Sequence, residues 1–161
     1  MKLQKIQLLI ILIYNFPTFV FAQNTMNWKN GGLQFQWIEK PLKTKETDKT
    51  LIIHSKYYEI QCEKLIKEHT VAEPNCDFLH EIEKMVMHDN INKANCQTLT
   101  YKNCTVVLLE LNSPESHTII AMSNDPSDLK KHLIWHISTP HKTEPLQETV
   151  DLLFKTLTIK N

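Results

Sequence analysis

Histidine is the side chain with the most to offer chemically in this sequence. There are eight, and the closest pair, His132 and His136, stands in the run His-Leu-Ile-Trp-His. On a helix, positions four apart share a face, and two imidazoles there can hold one metal ion. The residue after the first histidine is Leu133, not the glutamate of His-Glu-x-x-His, so the metalloprotease pattern fails. Leu133, Trp135 and Ile137 alternate, which marks the segment as a strand. Histidines four apart on a strand point the same way but lie about 13 Å apart, too far to share an ion. His132 and His136 are therefore weak metal candidates, expected to be solvated or hydrogen-bonded. His80 and His88 are too far apart to chelate together, and His141 falls in a loop.

The carboxylates give no stronger signal. Glu81 and Glu83 diverge on a helix, and Asp125 and Asp128 flank a turn. A glycosidase would need two carboxyl groups about 5–10 Å apart across a cleft, which spacing along a chain does not reveal. Serine, histidine and aspartate are all present, yet no local pattern marks a nucleophile. Gly31 and Gly32 are the only glycines. Phosphate-cradling loops need several, and a nucleophile elbow needs Gly-x-Ser-x-Gly, so both are excluded. No catalytic residue is assigned and no cofactor is expected.

Residues 1–22 set the context for the cysteines. Lys2 and Lys5 precede the apolar stretch 6–13, a Pro17 break follows, and Val20-Phe21-Ala22 suits a signal peptidase. A membrane anchor would need about 20 uninterrupted apolar residues, and this run is shorter. The expectation is a secretory signal peptide, 1–22, and one mature globular domain, 23–161, in the periplasm or outside the cell. In an oxidising compartment Cys62, Cys76, Cys96 and Cys104 read as structural disulfides, since the Cys-x2-Cys spacing of zinc sites is missing. Short local loops favour Cys62–Cys76 and Cys96–Cys104 among the three pairings. Asn103-Cys104-Thr105 is a glycosylation sequon, meaningful in a eukaryotic source.

Removing the leader leaves 16 lysines against 18 acids, a net charge of −2, with no arginine anywhere. No basic run is dense enough to grip nucleic acid. Trp28, Phe35, Trp37, Tyr57 and Tyr58 cluster early in the mature chain. Aromatics of this kind serve either as core or as anchors for a protein partner.

The elements that must position these groups follow from periodicity. Residues 23–32 read as a polar leader, 33–38 as a half-buried strand, 40–49 as a charged loop, and 50–62 as a strand. Phe78, Leu79, Ile82, Met85 and Val86 form the stripe of a helix over 77–89, with Asp77 at its start. The run Thr105-Val106-Val107-Leu108-Leu109-Glu110-Leu111 is a buried strand, with a return strand over 117–122 and another through Leu133, Trp135 and Ile137. Leu146, Val150, Leu153, Phe154 and Leu157 make the inward stripe of a last helix. The expected fold is α+β: an antiparallel sheet of four to five strands, two main helices on one face, and disulfide staples. The expected function, by elimination, is an exported non-enzymatic binding protein, most of all an inhibitor or immunity-type protein whose partner is another protein. The alternatives are a small secreted hydrolase or metal-binding protein whose histidines converge in the fold, and an extracellular structural or interaction factor. Oligomeric state is left open.

Overall fold

The computed structural model describes residues 23–66, 73–86, 95–112, 116–128, 130–140 and 146–160. Residues 1–22, where the signal peptide is expected, and His69, His88 and His141 lie outside the described residues. The chain runs β1 (Asn24–Trp28), β2 (Leu33–Trp37), β3 (Lys43–Glu46), β4 (Thr50–His54), β5 (Glu59–Ile66), α1 (Cys76–Val86), β6 (Asn95–Thr100), β7 (Thr105–Asn112), β8 (His117–Asn124), β9 (Lys131–Thr139), α2 (Leu146–Thr156) and β10 (Thr158–Ile159). The strands form two antiparallel sheets, a small one ordered β1-β2-β10 and a large one of seven strands ordered β3-β4-β5-β9-β8-β7-β6.

The fold is thus mostly β, which corrects the expectation of a four- to five-stranded α+β sheet with both helices on one face. The strands that periodicity missed are β1, β3, β6 and β10. Three of them are polar and lie at sheet edges, with the burial of a solvated strand (β3 is exposed or half-exposed throughout), so no apolar period announces them. The stretch 50–62 divides into two strands of a hairpin, β4 and β5. Its turn holds Ser55 and Tyr58, whose backbone groups bond each other.

The helices lie on opposite faces because the middle of the large sheet is apolar on both. Val106 and Leu108 of β7 face one core, with Ile119, Ala121, Leu133, Trp135, Ile137 and the buried face of the small sheet. Val107, Leu109 and Leu111 face a second core with Ile120, Met122 and Leu79. A strand buried on both sides reads as a continuous apolar run, and each side needs a cover. The small sheet and α2 form one cover, and α1 forms the other. In the main core, Trp135 meets Phe35 and Phe154 edge-on at centroid distances of 5.6 and 5.7 Å. The β4–β5 hairpin, by contrast, buries Leu51, Ile53, Ile60 and Cys62 and exposes the alternate residues to varying degrees, because α1 does not reach it.

Asn75, not Asp77, caps α1: its Oδ1 accepts the Phe78 N–H at 3.0 Å. Cys76 at the start of α1 is bonded to Cys96 on β6, and Cys62 and Cys104 are free and buried. This replaces the expected Cys62–Cys76 and Cys96–Cys104 pairing. Cys62 points into the main core from β5 and Cys96 faces α1 from the other side, so nearness along the chain did not mean a shared face.

Candidate functional site

On the large sheet α1 packs mainly over β6, β7 and β8, and towards β9 and β5 that face is more open. Register assembles a polar row across it. His54 pairs with Glu59, Glu59 with Ser138, and Ser138 with Thr118. One step along, Ile52 pairs with Gln61, Gln61 with His136, and His136 with Ile120. Direct partners have side chains about 5 Å apart on one face, so a histidine, a glutamate, a second histidine and two hydroxyls share a patch.

The patch is the floor of a groove of about 500 Å³, walled by Ser55, Lys56, Tyr57 and Tyr58 on one side and by Ser116, Thr139 and Pro140 on the other. His136 is shared with an adjoining cavity of about 280 Å³, whose remaining lining is Gln61, Glu63, Ile82, Ile120 and Ile134. Glu63 in turn borders a third hollow of about 440 Å³ beside Leu65, Ile66 and Phe78. The three hollows follow one another beside α1, the first and second sharing His136 and the second and third sharing Glu63. A mostly apolar recess with a few placed polar groups is the ordinary make-up of a binding site.

Two side chains set the electrostatics. His54 Nδ1 lies 3.1 Å from Glu59 Oε2, with both side chains about half exposed. Burial holds the His136 imidazole below its usual basicity, and the Glu59 carboxylate partly opposes that. His136 is therefore a neutral proton acceptor at neutral pH. Among the described residues no group of three or more His, Cys, Asp or Glu is placed to hold a metal ion.

The structure separates the residues the sequence singled out. His132 and His136 lie on β9, four apart and on one face, with His132 buried and His136 half-buried. The strand reading holds, and the pair does not converge. Trp28, Phe35, Trp37 and Tyr58 are buried in the main core, the other of the two roles the sequence left open for them; of the five, Tyr57 and the edge of Tyr58 border the groove. Asn103 is exposed in the turn before β7, but its side-chain amide donates to Leu157 O at 3.1 Å.

Sequence reasoning missed a buried polar knot beside Trp28. Lys64 Nζ sits 2.7 Å from Asp125 Oδ2, and the two side chains are 7% and 0% exposed. The ammonium aims its N–H bonds at Gly31 O (2.7 Å) and Ser127 Oγ (2.9 Å), so the Asp125 Oδ2 contact is an ion pair rather than a directed hydrogen bond. Ser127 donates both its N–H and its O–H to Asp125 Oδ1. The knot ties the β1–β2 turn to the β8–β9 turn. It explains the adjacent glycines: a Cβ on Gly31 would stand 2.3 Å from the Trp28 ring, and Gly32 has φ +70°. The signal was a lysine placed where β5 otherwise points inward.

No helix among the described residues is long and apolar enough to cross a membrane. The sequence matches no protein-family model and no curated protein.

Proposed function

We propose that this chain is an exported binding protein of the inhibitor or immunity type, acting by occupying another protein rather than by chemistry of its own. One observation supports the reading: a row of three adjoining hollows beside α1, bordered in common by His136 and Glu63, on the part of the sheet face that α1 leaves open. Export rests on the leader, 1–22, and on its signal-like order of charge, apolar run and small residues. A sheet face takes a partner through side chains, and this one offers Ile134, with Ile82 of α1 beside it, between polar groups (His54, Glu59, Gln61, Glu63). The mixture suits a partner that is also stable when free, since such interfaces are no more apolar than ordinary surface.

The test is affinity isolation with the tagged mature chain from the native medium or periplasm. The expected result is one stoichiometric protein partner, lost with Gln61→Arg/Glu63→Lys and kept with Glu148→Lys on the opposite layer. Recovery of no stoichiometric partner, or equal recovery by both variants, overturns the reading.

A further inference from the structure

We infer that the β6 edge of the large sheet joins two copies of this chain. The two sheets have four edge strands, β1, β10, β3 and β6. Strand edges carry unpaired N–H and C=O groups that invite another strand, and proteins usually blunt them with charge, proline, short length or a covering segment. Three of the four are blunted in these ways. Lys43 and Lys45 stand on β3, exposed. β10 is two residues long. β1 is held against the β3–β4 turn, where Trp28 Nε1 donates to Thr47 O at 2.7 Å and the Lys29 N–H to Glu46 Oε2 at 2.9 Å.

Among the described residues β6 has none of these devices. Its six residues, Asn-Cys-Gln-Thr-Leu-Thr, include no charge and no proline. Asn95, Gln97, Thr98 and Thr100 are exposed. Its ladder partner is β7 alone, and no described residue pairs with its outer side. The Cys76–Cys96 bond and the β6–β7 ladder fix it in an extended form ready to pair.

The occupant that fits is a second β6. Two copies related by a two-fold axis normal to the sheet run antiparallel, and five of the six residues find a partner from the same uncharged set, so no like charges meet among them. The geometry leaves room. α1 is centred over β7, so the two helices of such a dimer stand three strand spacings apart, about 14 Å, more than a helix diameter of about 10 Å. The axis passes through a residue pair near the strand centre, Gln97 or Thr98. On either register the two copies of Thr98 lie directly or diagonally opposite each other.

Sedimentation velocity of the mature chain over a wide concentration range tests this. The expected result is a reversible, concentration-dependent dimer. Thr98→Lys and Thr98→Glu, each checked for an unchanged melting temperature, are expected to weaken it about tenfold or more by like-charge opposition. Mixing the two variants is expected to restore a dimer containing one of each. A chain that stays monomeric throughout, a dimer untouched by either variant, or a mixture that fails to associate overturns the inference.

Discussion

Replacing Lys64 with methionine probes the buried knot most directly. The change keeps most of the aliphatic stem beside Trp28, whose ring lies 5.3 Å from the ammonium, and removes the charge. Asp125 then keeps the two Ser127 donors but loses its counter-ion, and Gly31 O loses a donor. With side chains 7% and 0% exposed, water does not replace what is lost. Removing one partner from a buried pair costs about 3–5 kcal/mol, and the Ser127 bonds that persist place Lys64→Met near the lower figure. For a domain of this size that corresponds to a fall of about 6–12 °C in melting temperature. The assay is urea unfolding of the mature chain followed by tryptophan fluorescence, with Asp125→Leu and the double variant alongside. Apolar replacement of both partners is often neutral or stabilising, so the double variant is expected to be more stable than Lys64→Met alone. A loss below about 1 kcal/mol for Lys64→Met, or two single losses that simply add in the double variant, would refute the reasoning.

The remaining predictions concern other parts of the molecule. Thiol titration should find two reactive cysteines in denaturant and almost none in the native chain, because burial pushes the Cys62 thiol well up and the Cys104 thiol to about 11; four thiols in denaturant would contradict the Cys76–Cys96 bond, and none would contradict free Cys62 and Cys104. Breaking that bridge, which closes a separation of 20 residues, should cost about 3 kcal/mol in the chain-entropy account, read as a shifted urea midpoint on reduction. His136 is less basic folded than unfolded, so the unfolded chain takes up the proton first. Its contribution is present above the usual histidine value and is lost as pH falls through the lower folded value; urea midpoints measured across that window should fall more steeply for the native sequence than for His136→Gln, and equal slopes would sink the point. Gly31→Ala should cost about 1–3 kcal/mol, because the new methyl meets the Trp28 ring, and a neutral result in thermal melts would show that the turn can move aside.

Much of the interior is legible in the order of residues alone. The continuous apolar run in β7 announces a buried strand, and alternation gives the burial of β2 and of Leu133, Trp135 and Ile137 in β9, though not that of His132. The helix stripes place α1 and α2 to within a few residues at their described ends. The polar edges are not legible, because Lys43-Thr44-Lys45-Glu46 and Asn-Cys-Gln-Thr-Leu-Thr take their strand form from neighbours rather than from a period of their own. The candidate site is invisible for a related reason. His54, Glu59 and His136 come from three strands, and β5 and β9 become neighbours only across the long excursion through α1, β6, β7 and β8.

The sequence by itself determined which segments are apolar, on which side, and therefore which must be buried. It also argued, through having only two glycines, against a phosphate-cradling loop and a Gly-x-Ser-x-Gly elbow. Tertiary structure decided everything that depends on which face meets which. It put α1 and α2 on opposite sides of the large sheet and paired Cys76 with Cys96. It turned Trp28, Phe35 and Trp37 from a possible surface into core, and buried Lys64 against Asp125. The reason is physical: periodicity reports a residue's side relative to its own strand or helix, whereas contacts depend on strand order and register, which are set by the packing of all layers together.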